Sequence, residues 1–444
     1  MTHATPATPL SPLAATLAAR IDTGDTAWLL AATALVLLMT PGLALFYGGM
    51  VRTKSVLNML MMSFVSIALV TVVWLLAGYS LAYGPDAFGG LIGGLGHAGM
   101  AGIGPGSVRG SVPTLLFATF QLTFAIITAA LISGAIADRA KFGAWLVFVP
   151  VWALLVYVPV AHWVWGPGGW ILSDLKALDF AGGMPVEIVS GASGLALCLV
   201  LGPRLGFKKD SMRPHNLPMV VMGAGLLWFG WFGFNAGSAL GANGLAAAAF
   251  LNTLAAGCTG LLGWLFVEQR RDGHPTTLGA ASGAVAGLVA ITPACGAVGL
   301  VGALAVGLAA GVLCSYAVGW KFRLNYDDSL DVVGVHLVGG IVGTLLIGLF
   351  ATSAMTGGAH GLLYGGGFGQ LGRQSVGVLA VGVYAFAMTY GIGRAIDRLT
   401  GFRADEEHEQ QGLDLTVHAE SAYDHGVLGH GAPLSASVLQ KVKP

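Results

Sequence analysis

Glu187 and His336 are the residues of this 444-residue chain with the most chemistry to offer. They occupy matching places in two stretches that read as copies, VEIVSGASG (186–194) and VHLVGGIVG (335–343), with Val, Val, Gly and Gly recurring in register. A carboxylate and an imidazole brought to one place can pass a proton, and they titrate as a unit rather than as two separate groups. Both stretches are hydrophobic and helical in pattern, so the pair is predicted to lie inside a membrane, where ionisable side chains are costly and usually functional. Taken singly, Glu187 could cap a helix at Pro185 and His336 could be a satisfied interior histidine. The matched repeat context, rather than either residue alone, points to function.

The elements that must position them are membrane helices. The chain is 55% hydrophobic and only 9% charged, holds 69 glycines and has a mean hydropathy of +0.77, a mix that suits closely packed membrane helices. A helix needs roughly 20 apolar residues to cross a bilayer. Eleven spans are predicted on that basis, starting near residues 26, 55, 113, 142, 185, 217, 244, 277, 297, 331 and 374. Basic residues collect in cytoplasmic loops, and of the 21 Lys and Arg only Arg20, Arg109, Lys176 and Arg373 do not follow odd-numbered spans. The N-terminus is therefore expected outside and the C-terminus in the cytoplasm of a multi-pass protein of the plasma (inner) membrane.

Glu187 falls near the start of the fifth span and His336 near the start of the tenth, five spans later. Five is odd, so the second copy runs inverted, and matching positions approach the midplane from opposite sides, as inverted-repeat transporters build their sites. The expected fold is thus all-α and polytopic, with a five-plus-five inverted repeat and one extra helix. Its divisions are an N-terminal extracytoplasmic segment (1–25), a membrane domain (26–398) and a polar tail (399–444). Residues 1–25 lack the charged start and long apolar run of a convincing signal peptide, although Leu10 to Ala19 is apolar enough to leave cleavage open.

Other classes fit less well. A net charge of zero argues against nucleic acid. The four cysteines form no CxxC, so neither a disulfide framework nor a metal site is indicated, and no cofactor is expected. A membrane enzyme using Glu187 and His336 as acid and base lacks a nucleophile set, and the glycines of GGFGQLG (366–372) lack the strand and helix context of a phosphate site. No paired Asn-Pro-Ala motifs suggest an aquaporin. The tail is too short for a kinase or cyclase domain, and its acidic run DEEHE reads as a solvated surface.

At DFAGGMPVEIVSGASGLALCLVLGPR (179–204) the chain resembles the ammonium transporter, methylammonium permease and Rhesus protein family. FQLTFAIITAALISGAIADR (120–139), AHWVWGPGG (161–169), PHNLPMVVMGAGLLWFGWFGFNAGSA (214–239), GAASGAVAGLVAITPACG (279–296) and DVVGVHLVGGIVGT (331–344) extend the likeness over about residues 26–425.

The resemblance implies eleven helices, a homotrimer and one pore through each protomer. It assigns ammonium binding in an outer vestibule to Phe120, Phe124, Trp165 and Ser238, since an aromatic face attracts a compact cation and a hydroxyl accepts an N–H bond. It assigns the pore gate to Phe124 and Phe234, whose apolar rings would strip an ion of its hydration shell and so favour loss of a proton. Asp179 and Asp331 are implied as structural aspartates near the outer mouth and at the inner end of the tenth helix. A PII-type signalling protein is implied as a partner of the cytoplasmic regulatory tail. Most bacterial members resemble one another in having two lumen histidines, whereas here the first is Glu187. A carboxylate beside an imidazole favours an ion pair or a neutral acid with a neutral base, and the expected role of Glu187 and His336 is a proton relay beside passing ammonia. The alternative reading is an ammonium sensor that signals through its tail with little flux.

Overall fold

A computed structural model describes residues 21–423. Most of the possible leader and the last part of the tail lie outside the described residues. Eleven helical segments run through the bundle: α1 (Thr23–Met50), α2 (Thr53–Tyr83), α3 (Thr114–Ile136), α4 (Phe142–Trp165), α5 (Gly183–Leu201), α6 (Leu217–Gly237), α7 (Gly244–Arg271), α8 (Thr277–Ile291), α9 (Leu300–Leu324), α10 (Val333–Phe350) and α11 (Gly369–Thr400). Ten of them are long and apolar enough to cross a membrane. The exception is α8, which at 15 residues reaches only about 22 Å.

Its shortness is tolerable because α8 and the turn after it (292–298) are almost wholly buried in protein. Irregular backbone at membrane depth survives only where protein satisfies it. Here Asn252 of α7 donates from its amide to the carbonyls of Cys295 and Val298, at 2.9 Å each. The start of α11 also departs from the sequence expectation. Helix begins at Gly369 rather than near 374 because the polar opening turn has buried partners: Gln370 donates to Gln374 Oε1 (3.0 Å), and the Gln374 amide in turn donates to Leu178 O (2.7 Å) and accepts from Leu178 N (2.7 Å).

The inverted repeat is visible in how α5 and α10 cross. Each opens with a π-turn, Gly183–Ile188 and Val333–Leu337, and those turns contain Glu187 and His336. Single π-turns inside helices are rare and often mark functional sites. Gly191 of α5 lies so close to Leu337 that a Cβ there would run into its backbone nitrogen, and a Cβ on Gly340 of α10 would lie 2.8 Å from Glu187 Cβ. These glycines let the two backbones meet and so bring the paired side chains together.

Two short helices, α12 (Glu406–Gln411) and α13 (Leu413–His418), fold back on one end of the bundle. The tail is therefore docked through residue 423. Lys54 donates to the carbonyls of Glu409 and Gln410, and Asp414 accepts the backbone N–H groups of Leu57 and Asn58 at the start of α2. The acidic run is only partly the solvated surface expected. Asp405, Glu406 and Glu407 are exposed, but Glu409 is buried, pairing with Arg403 (2.9 Å) and accepting from Leu205 N (2.7 Å).

Candidate functional site

Two phenylalanine rings divide the interior. Phe124 on α3 and Phe234 on α6 stack with centroids 4.1 Å apart and planes 28° apart, both fully buried. The two rings come from different helices, and stacking of this kind adds about 0.5–1.5 kcal/mol to their burial.

On one side of the rings is a cavity of about 190 Å³ bordered by Phe124, Trp165 and Ser238 together with Tyr83, Arg109, Phe117 and Gln121. Trp165 stands edge-on to Phe124 at 6.0 Å and donates its indole N–H to Asp179 O at 3.1 Å. Ser238 donates to Phe234 O at 2.8 Å, which leaves its oxygen lone pairs for a guest. Phe120, expected as a fourth wall residue, is placed elsewhere. One helical turn before Phe124, it is fully buried behind that ring at 4.9 Å and packed against Gly237, so it backs the wall rather than forming it. Sequence reasoning missed Tyr83 and Phe117, which carry no motif, and Gln121, which stands inside the FQLTFAIITAALISGAIADR segment beside Phe120; Arg109 had one signal, its place among the few basic residues on the minority side.

On the other side of the rings, a lumen with room for about one water molecule runs past Leu43, Ile127, Trp231 and Phe234 to Glu187 and His336. His336 Nδ1 and Glu187 Oε2 are 2.6 Å apart, and both residues are almost wholly buried. The indole N–H of Trp231 is already committed to Thr292 Oγ1 at 2.8 Å. The pair is thus the polar chemistry of an otherwise apolar passage. His336 also borders the next cavity, toward the far mouth, with Tyr47, Ser282 and Asp331.

Asp179 accepts from the backbone N–H groups of Gly182, Gly183 and Met184, which open α5. Burial nevertheless pushes its carboxyl up to about 6. The equivalent carboxylate for α10 is Asp328, which accepts from Val332 N (3.1 Å) and Val333 N (2.7 Å) and is likewise pushed up to about 6 by burial. Asp331, expected as a structural aspartate at this end, takes the left-handed backbone position that Gly182 holds in the first copy and pairs with Lys321 at 2.6 Å, while the helix-opening N–H groups go to Asp328. The repeat offset of 149 residues, applied to Asp179, would have found Asp328.

The model of the Ammonium Transporter Family matches residues 27–423. An ammonium transporter of Mycobacterium tuberculosis is 54% identical, over 91% of each chain. Among solved structures, Saccharomyces cerevisiae Mep2 superposes with a TM-score of 0.83 at 34% identity, covering 88% of this chain and 89% of that one. A structure described as a sensor Amt protein reaches a TM-score of 0.81 at 27% identity, over 88% of this chain and 97% of that one.

Proposed function

Because the chain belongs to the Ammonium Transporter Family, we propose that it carries ammonium across a membrane by parting the ion from its proton. The observation that carries this reading is the stacked Phe124–Phe234 pair set between a polar-edged cavity and a lumen holding Glu187 and His336.

The Trp165 cavity faces the outside in this reading. Ammonium enters it hydrated, exchanges water for the aromatic faces of Trp165 and Phe124, and donates one N–H to Ser238. An intact ion cannot pass the two apolar rings without losing its remaining shell, at a penalty of many kcal/mol. Breaking one N–H bond leaves the electron pair on nitrogen; ammonia crosses the rings, and the proton travels separately to the Glu187–His336 pair. The pair shares one or two protons as a unit, so it takes a proton from one side and releases one to the other without a bare charge standing in the lumen. Ammonia and proton recombine beyond His336. The N-terminus then lies outside and the docked tail in the cytoplasm, with residues 26–398 as the membrane domain and 399–444 as a regulatory tail open to a PII-type protein. Assembly as a homotrimer in the plasma (inner) membrane, with one pore per protomer, belongs to the same reading.

Likeness to a sensor at 27% identity keeps signalling as a second reading. The higher identity to relatives named as transporters favours flux. The test is the full chain in liposomes under an ammonium pulse. Internal pH and membrane current should respond together if ammonia and proton both cross; ammonium binding with neither response would establish a sensor instead.

A further inference from the structure

Arg109 is the one charged side chain on the wall of the 190 Å³ cavity. It sits at the edge of a tight hairpin, where Val108–Arg109 pairs with Val112–Pro113, so its backbone is fixed. Its guanidinium carbon lies 4.2 Å from the Phe117 ring centroid and 5.3 Å from that of Tyr83. Tyr79 contacts it as well, and its guanidinium bond to Tyr83 O is long at 3.5 Å. Among the described residues no carboxylate pairs with it. The Tyr83 hydroxyl donates to Gln121 at 2.7 Å, which holds that ring in place under the guanidinium.

The cavity thus has two sets of aromatic faces. One, Trp165 with Phe124, is open; the other, Tyr83 with Phe117, is already filled by the protein's own cation. A guest ion in a space this small comes within roughly 10 Å of the guanidinium, inside one Debye length at moderate salt, and feels a charge that is not paired with any carboxylate among the described residues. Since arginine stays protonated at every working pH, the repulsion is permanent.

We infer that Arg109 is a specificity-determining residue of the vestibule, a tethered cation that weakens the hold on any intact monovalent ion. The inference rests on the transport reading above. Repulsion acts equally on ammonium and potassium as charges, but only ammonium escapes it by giving its proton to vestibule water and continuing as neutral ammonia. Potassium has no such exit, so a fixed positive charge at this place discriminates where size cannot.

The test uses the full-length protein in liposomes, with ammonium uptake measured at low and at high ionic strength and with potassium as competitor. Arg109→Gln should lower KM for ammonium about fourfold at low ionic strength, the factor expected for unit charges roughly 10 Å apart in a dielectric between those of protein and water. The difference should narrow at high salt, and potassium should inhibit the variant more strongly than the wild type. Arg109→Lys, which keeps the charge, should stay near wild type in both readouts. An unchanged KM and unchanged potassium inhibition in Arg109→Gln overturn the inference, as does an Arg109→Lys variant shifted as far as Arg109→Gln, which would mark a wall residue and nothing more. Should Arg109→Gln fail to fold, Arg109→Met keeps a stem to pack on Phe117 and is read by the same criteria. Vesicles in which the wild-type protein moves no ammonium overturn the transport reading itself, and are told apart from a failure of Arg109 alone by that control.

Discussion

Asp179 and Asp328 hold the same post at the two ends of an inverted pair: each is the acceptor for the first free backbone N–H groups of a helix that carries one member of the buried Glu187–His336 couple. Opening N–H groups of a helix have no partner within it and carry the positive end of its dipole, so a carboxylate there satisfies both needs. The consequence reaches the site. Each aspartate stands eight positions before its ionisable partner, which sits within the π-turn that opens the helix, so anchoring the helix start fixes where Glu187 and His336 point.

Removing either anchor should therefore cost stability and misplace the pair. Asp179→Ala leaves three backbone donors without an acceptor and Asp328→Ala leaves two, and each should destabilise the protein by about 1–3 kcal/mol. Asp331→Ala should cost less, about 1 kcal/mol or below, because its Lys321 partner also donates to Asp328 O and the aspartate is partly solvated. Thermal unfolding in detergent ranks the three; a larger loss for Asp331→Ala than for Asp328→Ala would reverse the assignment.

Burial pushes Asp179 up to about 6, so its charge changes near physiological pH. Because the folded value lies above the ordinary 3.8, its contribution to folding is full below 3.8 and is lost as pH rises through about 6. The loop, in contrast, needs the ionised acceptor. Transport at a fixed ammonia concentration should accordingly fall as pH drops through about 6. Asp179→Asn, which cannot ionise, should be slow and flat between about pH 5 and 8; a variant that keeps the wild-type acid limb would show that the limb arises elsewhere.

Glu187→Gln keeps the shape of the lumen and removes the acid. Its amide can still bond His336 across the 2.6 Å gap but cannot accept and release a proton, so ammonium-evoked current should drop at least about tenfold, within the usual range for loss of a proton-transfer group. Binding at the vestibule, beyond the Phe124–Phe234 rings, should hardly change. Wild-type current in Glu187→Gln from about pH 5 to 8 would end the relay hypothesis.

Much of this was legible in the sequence. Hydropathy located the spans because their lipid-facing and core-facing sides are both apolar; only the polar first turn of α11 and the short, protein-wrapped α8 departed from the rule. The Glu187–His336 meeting followed from a repeat that symmetry forces to the midplane. What stayed hidden depends on side-chain direction. Phe120 and Phe124 are one turn apart, and no one-dimensional pattern says that one ring faces the cavity and the other backs it. Tyr83 and Arg109 reach the vestibule from a helix end and the hairpin that follows it, a placement that no sequence pattern announces, and Glu409 is buried within an acidic run by partners that only the folded bundle supplies.

The close crossing of α5 and α10 yields the sharpest steric expectation. A Cβ on Gly191 would lie 2.4 Å from Leu337 N and 2.5 Å from Leu337 Cβ, and one on Gly340 would lie 2.8 Å from Glu187 Cβ. Backbone cannot yield as a flexible side chain does, so Gly191→Ala must push α10 away. Its residue after His336 is the one that moves, and overpacking of this kind costs about 1–3 kcal/mol. Gly340→Ala meets a side-chain atom first and should cost less. Both variants lengthen the Glu187–His336 contact, so each should lose ammonium-evoked current beyond its loss of folded protein, and Gly191→Ala should lose more. Thermal unfolding and current per folded protein, measured on the same preparation, separate the two effects; a Gly191→Ala variant with wild-type values of both would show that the crossing is looser than a 2.4 Å contact permits.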